Sequence, residues 1–503
     1  MKYNSMIQES SLNHEGAEAF RLLPEEELYA AVVTSSLNPK FYETAQSTVE
    51  RIADLVGRVD PQFVARLAIY ARNEMMLRSV PLLLVVELAR HHRGDDLVSR
   101  VIDRVVLRAD EISELLACYQ WRNPKVGVKK LSGLSHQIQV GLQRAFNRFS
   151  EYEFAKYDRD SAVKLRDALF IVHPKPTSPK QQAIFDKIVS DDLAVPYTWE
   201  TELSALGQQQ FGSADERKAA FRAKWEELIE SGKVGYMALL RNLRNMLEIN
   251  VSDHAIDVVA NRLADPEAVE HSRQFPFRFL AAYKELMPIQ SKNTSPLLTA
   301  LEKAAVVASE HANIFGKDDT VFIANDMSGS MQHPISPRSK IWLYEVGLML
   351  SMMLQRNCHR VINGIFGSDW QVVNMPSRSI LANAVTTKKL IGKVGYGTEG
   401  HKPLEWLVGQ KIVVDRVMFF TDCQFWGVEH YGGHFKALWD EYKKISPKAK
   451  IYLFDLSGYG HSPIRIDEED VYIVAGWNER VFDVVASLEN SASVLDKIKS
   501  IEL

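Results

Sequence analysis

The chain is poor in cysteine: it has three in 503 residues, Cys118, Cys358 and Cys423. Their wide, odd-numbered spacing supports neither a disulfide framework nor a zinc cluster, and it points to a reducing compartment. Long hydrophobic runs are missing as well. No stretch approaches the roughly 18–20 uninterrupted apolar residues of a membrane-spanning helix, so no membrane is expected. Residues Met1 to Glu18 hold neither a basic leader followed by an apolar segment nor an Arg-rich presequence, which makes a cytoplasmic location the expectation. Charge of one sign does not dominate either. A formal net charge of −4 excludes a uniformly basic, histone-like surface but leaves local basic patches open. No Ser/His/Asp set, phosphate loop or zinc motif is legible, so no enzyme is expected.

What is present is an ordinary globular composition, 46% hydrophobic and 25% charged, in a chain long enough for two or three cores. From about Leu22 to about Ala312 the text reads as helix after helix. Pro61–Asn73, Val80–His91, Leu97–Val106, Asp215–Glu230 and Tyr236–Glu248 each place apolar residues at three- and four-residue intervals. Stacked helix pairs without a crisp repeat are predicted. Loops are expected at His173–Thr177 and around Gln208–Ser213.

After Gly316 the texture changes, and short β-rich runs alternate with helical ones. Thr320–Asn325, Val361–Phe366, Arg416–Thr421, Ile451–Asp455 and Val471–Ala475 are read as strands. Lys340–Gln355, Leu381–Ile391, Pro403–Gly409 and Phe435–Ile445 are read as helices. That rhythm means a doubly wound, mostly parallel sheet covered by helices, with ligands at the carboxyl ends of the strands where strand order reverses. Ile341–Leu354 is apolar almost all round apart from Glu345, so it should be the buried helix after the first strand.

The first of these strands ends in Asp326-Met327-Ser328-Gly329-Ser330. A glycine-flanked loop later offers Thr398, and the run Phe419-Phe420-Thr421-Asp422 sets a second carboxylate at the same sheet edge. Asp326, Ser328, Ser330, Thr398 and Asp422 are hard oxygen donors with two formal charges, a set that suits Mg²⁺, with Mn²⁺ as the alternative. The competing reading is that Asp326 caps a helix and the serines satisfy backbone groups. A phosphoryl-accepting Asp326 would want a second carboxylate two residues on, where Ser328 stands. The order of motifs resembles the von Willebrand factor A domain and its metal-ion-dependent adhesion site. By that resemblance Ser328, Ser330 and Thr398 ligate directly, and Asp326 and Asp422 do so directly or through water.

Leu115 to Ser150 carries Arg122, Lys125, Lys129, Lys130, Arg144 and Arg148 and no acidic residue, with Tyr119, Trp121, Phe146 and Phe149 interleaved. Basic side chains among aromatics supply the phosphate contacts and stacking faces of an RNA surface. The alternative is a solvated basic face over core aromatics. On a wheel of Tyr236–Glu248, Leu239, Leu240, Leu243, Met246 and Leu247 form one face while Arg241 and Arg244 stand together on the other.

The segments GYMALLRNLRNM, QFPFRFLAAYKEL and LYAAVVTSSLNPKFY resemble the TROVE domain of the Ro RNA-binding family. The resemblance implies a HEAT-like helical repeat ring over residues 1–315, followed over residues 316–503 by a Rossmann-like von Willebrand A domain with the adhesion site. It implies a monomer closing the ring, whose central hole takes single-stranded 3′ ends of misfolded RNA at Arg241 and Arg244. A Y-like non-coding RNA would bind outside, with Lys129, Lys130, Arg144 and Arg148 as candidates. Arg166 and His173 fit a family helix that contacts Y RNA, while Phe170 stands where the family often has a second basic residue. RNA quality control or processing is the implied role, with an exoribonuclease or another protein as partner at the metal site. The alternative, from a different class of function, is a structural or protein-interaction module, such as a phage would encode, whose metal site docks an acidic partner.

Overall fold

A computed structural model describes the chain apart from residues 1–8, 36, 124–132, 159–161, 317, 377, 427–434, 467–469 and 491. Among the described residues, seventeen α-helices lie between Pro24 and Ala308, and a six-stranded sheet with further helices follows. Helices Pro61–Asn73 and Tyr236–Glu248 have the predicted bounds. By compactness the chain divides into two units, Met1–Thr48 with Gln209–Val494, and Val49–Gln208 with Leu495–Leu503.

In the second of these units, helix Pro61–Asn73 packs on Ser79–His91 and on Leu97–Val105. Ser79–His91 packs in turn on Asp110–Arg122, and Leu97–Val105 on His136–Phe146. Each helix therefore touches its successor or the next but one, as stacked pairs do. The helix starts are written locally: Asp60 accepts from Gln62 N at 3.1 Å and Pro61 fills the first turn. Buried Glu111 accepts from Arg72 at 2.8 Å, from Arg78 at 3.3 Å and from the backbone N–H groups of Leu107 and Arg108. The chain end belongs here, since Arg66 donates to Ile501 O at 3.0 Å and Arg100 to Leu503 O at 3.2 Å.

The other unit opens with a hairpin, β1 (Ser10–Leu12) and β2 (Glu18–Arg21), and later carries the large sheet. Its strands are β3 (Thr320–Asp326), β4 (Arg360–Phe366), β5 (Trp370–Val372), β6 (Arg416–Thr421), β7 (Lys450–Asp455) and β9 (Val471–Ala475). The two-residue strand β8 (His461–Ser462) pairs instead with β2. The sheet order is β5-β4-β3-β6-β7-β9, parallel except for the antiparallel edge strand β5. Alternation sorts the side chains. Phe322, Ala324, Val417, Phe419, Ile451 and Leu453 join one core with Leu404, Leu407, Trp439 and Tyr442 from two helices. The opposite face receives helix Leu343–Asn357, where a Cβ on Gly347 would meet Phe420 and Leu456.

Glu345 is the one acid on that helix, and its carboxylate is buried. It accepts from Lys284 Nζ at 2.6 Å and from Trp342 N at 2.9 Å. Replacing Lys284 by Met leaves this carboxylate without its cation, and breaking a buried pair from one side costs about 3–5 kcal/mol. Urea unfolding should show that loss, and Lys284→Met combined with Glu345→Leu should recover most of it. A single-variant loss below about 1 kcal/mol, the worth of an exposed pair, would show that the pair is solvent-screened.

Candidate functional site

The chain leaves β3 for β4 on one side and returns to β6 on the other, so strand order reverses between β3 and β6. Asp326 ends β3, Thr421 ends β6 and Asp422 follows. The β3–β6 register pairs Asn325 with Phe420 one step before. Asp326, Ser328, Ser330 and Asp422 are all buried. Asp326 Oδ1 accepts from Ser328 N at 2.9 Å, and Oδ2 accepts from Thr421 Oγ1 at 2.6 Å. The hydroxyls of Ser328 and Ser330 lie 3.2 Å apart. Asp422 Oδ1 accepts from Gln424 N at 3.1 Å. Its Oδ2 is buried and outside hydrogen-bond geometry from the described residues, while the Ser330 hydroxyl favours the Asp422 anion. Cys423 sits in the left-handed region at φ 60, a costly conformation for a side chain with a Cβ, and so fixes the turn that presents Asp422.

Thr398 is buried on the third loop. That loop is stitched to the first by Gly329 N donating to Tyr396 O at 2.9 Å, and to the second by Trp426 N donating to Thr398 O at 2.9 Å. Gly395 makes the bend at φ 77 against Ser368. Among the described residues no three His, Cys, Asp or Glu side chains gather as a metal site, so the set depends on its hydroxyls. Two carboxylates, one of them with an oxygen outside hydrogen-bond geometry, and three hydroxyls are donors that a hard divalent cation accepts. Thr421, which orients Asp326, escapes sequence reading because a β-branched residue at a strand end reads as strand-former.

Burial pushes both carboxyls up, Asp422 further because Asp326 repels it, while bonds from Ser328 and Thr421 favour the Asp326 anion. Folded values above the unfolded ones mean that this pair stabilises the metal-free protein at low pH. That contribution falls as pH rises above the ordinary value of 3.8 and is fully lost once pH has passed the folded values, about 6 and about 8. A cation requires both carboxylates ionised, so its affinity should climb through the same window with proton release. Calorimetry of Mn²⁺ binding in buffers of different ionisation enthalpy reads the protons, and a pH-independent affinity would contradict the pairing.

The RNA candidates are placed unevenly. Lys125, Lys129 and Lys130 lie outside the described residues. Arg144 pairs with Asp103 at 2.7 Å, and Arg148 donates to the carbonyls of Asp103 and Val106 at 2.6 and 2.8 Å. Arg122 pairs with buried Glu87. Tyr119, Phe146 and Phe149 are core residues, whereas Trp121 is exposed. On helix Leu165–Val172, Arg166 lies over the ring of Phe170, which is 47% exposed, and exposed His173 caps the helix in the left-handed conformation.

Helix Tyr236–Glu248 buries Leu239, Leu240, Leu243, Met246 and Leu247 as the wheel predicts. Arg241 and Arg244 open into a pocket of about 400 Å³, where Arg278, Arg338 and Lys340 join them and Glu285 is the one acid. The two helix arginines differ. Arg244 pairs with Glu248 at 2.7 Å and with Glu285 at 3.6 Å. Arg241 and Arg278 have no carboxylate partner among the described residues. The pocket wall first, and the charge of Arg241 second, hold the Arg278 guanidinium below its usual range.

A helical region followed by a doubly wound domain, with a hydroxyl–carboxylate cluster at its switch point, defines the class: a helical-repeat protein carrying a von Willebrand factor A domain. The TROVE domain model matches residues 191–321 and the Ro60 vWA domain model matches residues 320–489. The chain belongs to the Ro family. It is 22% identical to the RNA-binding protein RO60 of Deinococcus radiodurans over 361 residues, which cover 66% of this chain and 67% of that one. It is 24% identical over 332 residues to telomerase protein component 1 of Rattus norvegicus, covering 53% of this chain and 13% of the relative. With the Mus musculus protein of that name it shares 37% over 126 residues, 24% of this chain and 4% of the relative, so it spans a small part of both telomerase components. The crystal structure of the Deinococcus radiodurans RO (RSR) protein shares the fold, with a TM-score of 0.59 at 19% identity, covering 93% of this chain and 100% of that chain. Arg241, Arg244 and Arg278 lie within the TROVE match and the five metal candidates within the vWA match, whereas Arg144, Arg148, Arg166 and His173 precede both.

Proposed function

We propose that the chain is a non-catalytic Ro-type RNA-binding protein that holds single-stranded 3′ ends of misfolded RNA at the pocket between helices Tyr236–Glu248 and Pro276–Leu286. The observation that carries this reading is a recess of about 400 Å³ lined by five cations, of which Arg244 and Lys340 pair with Glu285 while Arg241 and Arg278 have no carboxylate partner among the described residues. Arg278 stays within it although wall and neighbour both weigh against its charge. Converging like charges in a recess focus potential and reward a phosphate backbone entering it. The RNA-binding relative in Deinococcus radiodurans supports the same assignment. A Y-like RNA would meet the exposed Arg166, Phe170 and His173, where a guanidinium on an aromatic face supplies charge and a stacking surface. Here Phe170 serves as the platform in place of a second basic residue.

In the same proposal Asp326, Ser328, Ser330, Thr398 and Asp422 hold Mg²⁺ or Mn²⁺, with Thr421 and Ser328 N orienting Asp326. The cation supplies a fixed positive centre for a protein partner such as an exoribonuclease. Cytoplasmic RNA quality control or processing by a monomer completes the reading. No helix among the described residues is long and apolar enough to cross a membrane. Crosslinking bound RNA to the purified protein, sequencing it and mapping the peptides tests the whole. Crosslinks within residues 236–248, 276–286 and 165–173 are expected. Absence of RNA, or crosslinks confined to the sheet domain, would refute it.

A further inference from the structure

The tip of the β1–β2 hairpin reaches the metal site. Asn13 is buried, its Nδ2 donates to Phe425 O at 2.7 Å, and its Oδ1 accepts from Glu15 N at 3.0 Å and Ala17 N at 2.9 Å. His14 N donates to Gln424 Oε1 at 2.9 Å, and Gln424 N is itself the donor to Asp422 Oδ1. The turn is therefore pinned to the loop that carries Asp422, with Gly16 at φ 76 closing it and Glu15 at its tip.

Tyr42 fills the space between tip and site. Its ring stacks on His14 with centroids 5.0 Å apart and meets Tyr459 edge-on at 5.5 Å. Its hydroxyl donates to Glu15 Oε1 and also interacts with Ser330. Burial, the bond to Glu15 and the charge of Asp422 all push the phenol up, which keeps its proton in place to make that bond. Among the described residues no Lys or Arg pairs with Glu15; the nearby Lys40 lies over the Tyr459 ring and donates to Ser457 O instead.

We propose that Tyr42, held by Glu15, shields from within the chain the cation that Asp326, Ser330 and Asp422 would hold, so that an acidic partner docks only when the hairpin tip yields. The inference rests on the metal reading above and adds its gate. A phenol at Ser330 stands where an incoming carboxylate must arrive, and Glu15 behind it repels that carboxylate.

The test loads the full-length protein with Mn²⁺ and follows water-proton relaxation, which counts exchangeable waters on the ion, with acetate as the probe anion. Tyr42→Phe keeps the ring contacts and should add one fast-exchanging water to the wild-type count. Acetate should then displace that water in the variant at concentrations that leave wild type unchanged. Glu15→Gln, at an exposed position, should tighten acetate binding by about tenfold or more through loss of the repelling charge. Mn²⁺ bound equally well, with identical relaxation and acetate response in all three proteins, overturns the gate and leaves the metal site standing. Wild type that takes no Mn²⁺, or an Asp326→Asn variant that takes it as well as wild type, overturns the metal reading and the gate with it.

Discussion

Asp326→Asn should lower the Mg²⁺ and Mn²⁺ affinity proposed for this site by at least about 100-fold, the upper end of what losing even an outer partner costs, because it removes one of two formal charges from the donor set. The metal-free variant should be no less stable than wild type. Asn can keep both local bonds, its Oδ1 accepting from Ser328 N and its Nδ2 donating to Thr421 Oγ1, the groups that serve Asp326. It also ends the repulsion that helps push Asp422 up. The two proteins should thus separate on adding metal: wild type gains stability with each rise in free Mg²⁺ while the variant does not. Thermal melts with chelator and with Mg²⁺ measure both. A variant unstable in chelator would mean that Asp326 is a structural anion. Equal stabilisation by Mg²⁺ would mean that the ion binds elsewhere.

Wherever a signal is local and periodic, the sequence carries it. Arg416–Thr421 and Phe435–Ile445 have the predicted bounds because each fills one strand or helix period with apolar residues. That Asp326, Ser328, Ser330 and Asp422 gather at one sheet edge was legible because their loops follow strands in order. The hairpin was not. Its strands span three and four residues, its partner β8 spans two, and the β2–β8 pairing joins Phe20 to Ser462, far beyond any local window. The contacts of Asn13, His14 and Tyr42 with the loops that carry Asp422 and Ser330 are therefore invisible until the chain is folded.

Charge was read less well for the same reason. Leu115 to Ser150 contains no acid, yet Asp103 and Glu87, from helices earlier in the chain, pair with Arg144 and Arg122. Arg148 spends its donors on two carbonyls that end a neighbouring helix, which makes it a packing residue as much as a charge. A helical wheel likewise treats Arg241 and Arg244 as equivalent. The fold separates them, since Glu285 comes from another helix and reaches Arg244. The same fold adds Arg278 to the pocket, a residue that the wheel of one helix cannot include.

Arg241→Ala with Arg278→Ala should therefore weaken binding of RNAs that carry a free single-stranded 3′ tail by about 100-fold, as losing two charged hydrogen-bond partners of about 1.5 kcal/mol each implies. The slope of log affinity against log salt should flatten by about 1.4, at roughly 0.7 per phosphate contact on a single strand. Arg244→Ala should change affinity less than Arg241→Ala does, because Glu248 and Glu285 already engage its guanidinium. Misfolding cannot account for the double variant's loss, since neither arginine has a carboxylate partner to strand among the described residues. Removing them also ends the burial of a guanidinium and, second, the repulsion from Arg241 that together hold Arg278 below its usual range. Blunt structured RNA bound at Arg166 and Phe170 should keep its affinity, which makes it the internal control in the same titration. Equal losses for tailed and blunt RNA would move the single-strand site out of this pocket. A double variant that binds tailed RNA with an unchanged salt slope would show that its phosphates never met these two guanidinium groups.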